Sequence, residues 1–150
     1  MVALLIVAHA PLASALAAVA RHTGLNPDAV IEVFDVPAAM NRLDDIRDHV
    51  NARLQRMQQP QVLVLTDVFA ATPCNACLLA ADGVNVRVVS GVNVPMLWKV
   101  VSHIREPLDR LVDAAVSAGQ QGVMQLSTPP PQEQARRVPR HDPNHPHDQQ

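Results

Sequence analysis

Val2-Ala3-Leu4-Leu5-Ile6-Val7-Ala8-His9-Ala10-Pro11 opens the chain. The unbroken apolar run over 2–8 reads as a buried strand. His9 closes it, and Pro11 suits the first turn of a helix, where its missing N–H costs nothing. A histidine at the carboxyl end of a first strand, facing a helix N-terminus, lies where open α/β sheets bind ligands. An imidazole there can act as a nucleophile, and the helix N-terminus can stabilise an anion it accepts. A histidine that merely ends a strand and bonds to water fits the same position, so position alone does not decide.

The rest of the chain repeats this grammar. Residues 12–22 carry Leu12, Ala15, Leu16 and Val19 at helical spacing. Gly24 suits the C-cap, and Asn26-Pro27-Asp28 signals a turn. Residues 30–36 alternate into a second strand that stops at Pro37. Asn41 is placed to cap an amphipathic helix running to about Met57, with Leu43, Ile46, Val50 and Leu54 on its apolar face. Gln58-Gln59-Pro60 breaks it, and 62–65 is a continuous apolar run, a third strand of the kind a parallel sheet buries on both faces. A loop over 66–72 leads to a helix that opens at Pro73 and runs to about Ala81. Residues 84–89 read as strand four, Pro95 opens a helix to about Ile104, and 108–118 form a last helix. Residues 123–126 are a candidate short fifth strand.

Strands alternating with helices predict an α/β fold: a doubly wound, mostly parallel open sheet with helices on both faces. The loops after strands one, three and four then share the carboxyl edge. His9, Asp67 and Asn93 lie in or beside those loops and converge on one crevice. From Ser127 onward the composition shifts. Residues 128–150 are rich in Pro, Gln, His and Arg and bury too little surface to offset the entropy of ordering, so a domain over 1–127 with a disordered tail is expected.

The 150 residues suit one domain, and 48% hydrophobic content allows a sizeable core. Phe34, Phe69 and Trp98 are its aromatic residues, so Val, Leu, Ile and Ala must build that core. A net charge of −2 and scarce aromatics disfavour a nucleic-acid partner. No apolar segment approaches the ~20 residues of a membrane span, and the N-terminal run lacks a positive leader, so the cytoplasm is the expected location.

Several groups can carry chemistry. A carboxylate at Asp67 bonded to one nitrogen of His9 would fix the tautomer and leave the other nitrogen free to attack. Asp67 alone also suits a turn residue or a magnesium ligand, although no second carboxylate accompanies it in the loop. Ala70-Ala71-Thr72-Pro73 is small enough for a ligand to approach the backbone. Thr72 offers a hydroxyl and a cap for the next helix, whose first amides suit a phosphate. Cys74-Asn75-Ala76-Cys77 is a C-x-x-C at a helix start, as in thioredoxin-like redox modules, but it has no aromatic flank or Gly-Pro between the cysteines, and one pair cannot complete a zinc site unless other ligands join it. His141, His145 and His147 in the tail are read as solvated, as are His22, His49 and His103.

At this point the residues resemble a known family, the mannose-type IIA component of the bacterial phosphoenolpyruvate-dependent sugar phosphotransferase system. The resemblance rests on the first strand ending in His9 and on Asp67-Val68-Phe69-Ala70-Ala71-Thr72-Pro73-Cys74-Asn75-Ala76, similar to the family's Asp-x-x-Gly-Gly-Ser-Pro-x-Asn-Ala. It rests also on Gly91-Val92-Asn93-Val94-Pro95-Met96-Leu97, and it spans about residues 1–127. It implies that His9 takes a phosphoryl group from the phosphocarrier HPr and passes it to a IIB component. Asp67 would orient the ring, while Thr72 and nearby amides, Ala71 among them, would hold the phosphoryl oxygens. Asn93, Pro95 and Met96 would belong to the partner-facing loop. A homodimer exchanging the strand at 123–126 is implied too. No cofactor or metal is called for. Ala10, Ala70 and Ala71 stand where the family has glycine.

The three loops contain no Lys or Arg that would trap a phosphoryl group, which fits a relay. No nucleotide-binding glycine loop is present, so the donor is expected to be a phosphoprotein. Two other readings of the same crevice remain: a regulatory protein whose His9 phosphorylation signals to a target without moving sugar, and a binding domain for a small anion. A thiol–disulfide module at Cys74 and Cys77 is a further alternative.

Overall fold

The first four of the expected strands form in the computed structural model, which describes residues 1–22 and 29–127. The order is β1 (Ala3–His9), α1 (Leu12–His22), β2 (Ile31–Val36), α2 (Leu43–Met57), β3 (Val62–Thr66), α3 (Thr72–Ala80), β4 (Val86–Ser90), α4 (Val94–Ser102) and α5 (Leu108–Gln121). Gly24, the 26–28 turn and the tail histidines lie outside the described residues.

Among the described residues the strands form one four-stranded sheet, ordered β2-β1-β3-β4, with every neighbouring pair parallel. β1 and β3 are central and almost wholly buried, as their unbroken apolar runs require. Leu4, Ile6, Leu63 and Leu65 point to one face, where α1, α4 and α5 pack on them through Leu16, Leu97, Val100 and Leu111. Leu5, Val7, Val62 and Val64 point to the other, under Ile46 and Val50 of α2 and Ala76 and Cys77 of α3. Helices on both faces make this the doubly wound sheet that the alternation predicts. On the β2 edge, Arg53 of α2 stacks its guanidinium 4.0 Å from the Phe34 ring centre and donates to the Val33 carbonyl.

The chain runs outward from β1 in both directions, to β2 and to β3. The connections leaving these strands diverge between β1 and β3, and that opens a crevice at their carboxyl ends. His9 ends β1 there, and Asp67 follows β3.

Several local expectations change. Asn41 does not cap α2: the cap position is Arg42, without a side-chain bond, and Asp44 and Asp45 supply negative charge to the first turn instead. Strand four begins at Val86 because Asp82 holds residues 84–86 in a turn, accepting the Val84, Asn85 and Val86 amides. Those bonds hold the Asp82 carboxyl down at about 2. Residues 123–126 form no strand within the single chain: they reach no sheet edge to bond their amides, and Val123, Met124 and Leu126 are exposed.

Candidate active site

The centre of the crevice is built from backbone outward. β1 delivers His9 as its last residue, with the ring 55% exposed while the Asp67 side chain is only 7% exposed. Asp67 Oδ2 accepts from the His9 backbone N–H at 2.9 Å and lies 2.7 Å from His9 Nδ1. Its other oxygen accepts from the Val68 amide at 2.8 Å. Burial pushes the Asp67 carboxyl up, but the bonds from the His9 amide and ring and from Val68 outweigh it, and the group stays below its ordinary 3.8. Asp67 is therefore a carboxylate near neutral pH and accepts only. The proton between the pair then sits on Nδ1, and the lone pair of the neutral ring sits on Nε2.

The anion cradle differs from the first expectation. Pro11 lies before α1 and its carbonyl accepts the Ala15 amide, while the Ser14 amide bonds Asp35 Oδ1 at 3.1 Å. The Asp35 carboxylate thus occupies the start of α1, where a second anion would meet like charge. That leaves α3. Its cap position is Ala71, without a side-chain bond, so Thr72 is the first helical residue and not the cap. The Ala71 amide is spent on the Val68 carbonyl at 3.2 Å. Pro73 has no N–H, so Thr72 and Cys74 carry the first-turn amides of α3, which have no acceptor within the helix.

The side chains of Asn93, Pro95 and Met96 engage α4 and α5. Asn93 caps α4 by accepting the Met96 amide at 3.0 Å, and its Nδ2 donates to the Gly119 carbonyl at 3.1 Å. Met96 is 3% exposed, in the core beneath α5. Pro95 lies against Gly122. These residues join α4 to the end of α5. Their loop still frames the crevice through its backbone, since the Gly91 and Val92 amides bond the carbonyls of Asp67 and Thr66.

Cys74 and Cys77 are both buried. Burial, then the neighbouring Cys74 and Asp67, pushes the Cys77 thiol up to about 12. Both sulfurs lie buried, away from an exchange partner, which favours packing over disulfide exchange. Two features of the site escaped the sequence. Asp35 is an ordinary polar residue in an alternating strand, and no spacing signals that it meets α1. Ala70 has φ +65°, a left-handed conformation that the residue type conceals and that only the family's glycine at this place signals.

Fold and site together define an open α/β protein with a poised, carboxylate-backed histidine at its topological switch point. The family described as PTS system fructose IIA component matches residues 3–116. The chain belongs to this family of phosphotransferase-system IIA components, which covers the mannose, fructose and sorbose types. It is a phosphotransferase component working in a phosphoryl relay.

The solved mannose/sorbose-specific IIA subunit from Enterococcus faecalis is 27% identical, with a TM-score of 0.73 over 85% of this chain and 96% of that one. The EIIA component from Streptococcus agalactiae is 24% identical, with a TM-score of 0.72 over 83% and 97%. A sigma-54 interaction domain protein from Enterococcus faecalis shares the fold at 11% identity, with a TM-score of 0.65 over 81% and 92%. No curated protein matches the chain. Among the described residues no helix is long and apolar enough to cross a membrane.

Proposed function

We propose that His9 Nε2 is the phosphoryl acceptor, that HPr is the donor, and that a IIB component on another chain is the acceptor that follows. The observation that carries this is the 2.7 Å contact between His9 Nδ1 and Asp67 on an otherwise open ring. The Nε2 lone pair attacks phosphorus, the bond from phosphorus to the donor breaks, and its electron pair leaves with the donor. Nδ1 keeps its proton. The ring becomes cationic, and the Asp67 carboxylate balances that charge. Thr72, with the first-turn amides of α3, faces the phosphoryl oxygens. Reversal of the same displacement hands the group on, with no proton to relocate.

In the same reading the protein is a cytoplasmic homodimer. The exposed Val123, Met124 and Leu126 and the edge position of β4 support an exchanged strand over 123–126. Truncation after Gly122 then shifts sedimentation from dimer to monomer.

Phosphate transfer from phosphoenolpyruvate, with enzyme I and HPr added, tests the relay. Wild type gains one acid-labile phosphate and His9→Ala gains none. Labelling of the His9→Ala protein would place the phosphate elsewhere. The regulatory alternative shares this step and parts from transport only downstream, where loss of His9 would change a partner's activity and spare sugar uptake.

A further inference from the structure

The loop from Asp67 to Thr72 contains a conformation that its own sequence disfavours. Ala70 sits at φ +65°, where its Cβ crowds the backbone and where glycine would enter freely. Such a residue persists only when its surroundings over-determine it, and outliers of this kind cluster at functional sites. Here the holding groups belong mainly to one residue. Asn75, on the first turn of α3, donates Nδ2 to the Ala70 carbonyl at 3.1 Å and its own amide to the Ala71 carbonyl at 3.0 Å. Ala71 in turn donates to Val68 at 3.2 Å. Asn75 is exposed, so its side chain is not there to fill the core. What it fixes is the short path between Asp67, which holds the His9 ring, and Thr72, which starts α3.

We propose that Asn75 is a positioning residue for phosphoryl transfer. Its side-chain amide clamps the Ala70 carbonyl, keeps Ala70 left-handed, and so holds the start of α3 in fixed relation to the His9–Asp67 pair. This rests on the relay reading above and adds a residue that never touches the phosphoryl group. It also carries a specific coupling. With glycine at position 70 the left-handed turn needs no forcing, so the clamp matters less.

The test uses the full chain as wild type, Asn75→Ala, Asn75→Asp, Ala70→Gly and the Asn75→Ala/Ala70→Gly double variant. The first readout is the rate of phosphate uptake from phosphorylated HPr at saturating donor. Asn75→Ala lowers it about tenfold, the scale of one lost positioning hydrogen bond. In the Ala70→Gly background the same change costs less than about twofold. Asn75→Asp, which replaces the donor with an acceptor, behaves like Asn75→Ala. The second readout is the Ala70 Cα and Cβ chemical shifts, which leave their left-handed values in Asn75→Ala.

Equal losses in both backgrounds, or a wild-type rate in Asn75→Ala, would overturn the proposal. Unchanged Ala70 shifts in that variant overturn the clamp itself, and this readout does not depend on phosphate uptake. A wild type that takes up no phosphate overturns the relay, and the positioning role falls with it.

Discussion

Asp67 Oδ2 meets His9 twice, at the backbone N–H and at ring Nδ1, so one oxygen fixes both where the residue sits and which nitrogen is free. The backbone bond ties the end of β1 to the residue after β3. The ring bond sets the tautomer. Asp67→Asn keeps the shape of the carboxylate but removes its charge and can offer a donor where an acceptor is needed. Phosphate uptake from HPr is expected to fall on the order of 100-fold, within the range lost when proton-holding groups are removed. Single-turnover transfer measures it. A wild-type rate in Asp67→Asn would remove this residue from the mechanism.

The same carboxylate ties stability to pH. Its pKa is lowered on folding, so between the folded and unfolded values the unfolded chain binds the extra proton. The contribution of Asp67 is complete above the ordinary 3.8 and is lost as pH falls below that through the folded value. Denaturant unfolding from about pH 5 downward should show a shallower acid loss in Asp67→Asn than in wild type. Parallel curves would mean that the native bonds do not perturb the group.

Strand runs and breakers were legible because a parallel sheet buries its central strands on both faces, and β1 and β3 announce that burial residue by residue. The convergence of His9 and Asp67 followed from topology alone. Contacts between distant elements were not legible. Asp35 meets the Ser14 amide across the β2–α1 packing, and nothing in either local sequence encodes the pair. Thr72 looked like a cap because its residue type prefers one, but Pro73 fits equally at the second helical position and the cap falls to Ala71. Residues 123–126 have strand-like apolar character, yet a strand forms only by pairing with an edge, and within the single chain these residues pair with neither β2 nor β4.

Ala70 is the position where backbone strain can be relieved most simply. Ala70→Gly removes the left-handed penalty of an alanine and returns part of the gain as extra freedom in the unfolded chain. The net effect expected is a stabilisation of up to about 1 kcal/mol. Urea midpoints at unchanged slope measure it. A loss of stability would mean that the native loop needs the methyl group at Ala70 more than it resents its conformation.

The buried thiols give a prediction with a kinetic readout. Cys77 is held up at about 12 and both sulfurs are shielded, so a thiol-specific disulfide reagent near neutral pH should leave the native protein unlabelled. Both cysteines react once denaturant opens the fold. Rapid native labelling, or a disulfide formed without unfolding, would restore the redox reading.

The junction of α4 with α5 separates two glycines that look alike in sequence. A Cβ at Gly119 would come within 2.7 Å of Met96 Cε, the far end of a flexible side chain. A Cβ at Gly122 would come within 2.5 Å of Pro95 Cγ and 2.6 Å of its Cβ, both in a rigid ring. Gly122 already has φ −72°, so strain of its own backbone is not the obstacle. Gly119→Ala trades a rotamer change in Met96 against a gain in helix propensity of about 1 kcal/mol, and its net cost should be small. Gly122→Ala must move the ring or the end of α5, at a cost of roughly 1–3 kcal/mol. Pro95→Gly, which removes both Cγ and Cβ, should rescue Gly122→Ala in a double-mutant cycle and do nothing for Gly119→Ala. Because residues 123–126 follow directly from Gly122, the same variant should shift the monomer–dimer balance measured by sedimentation. Equal costs at the two glycines would mean that this junction is looser than the Pro95–Gly122 contact requires.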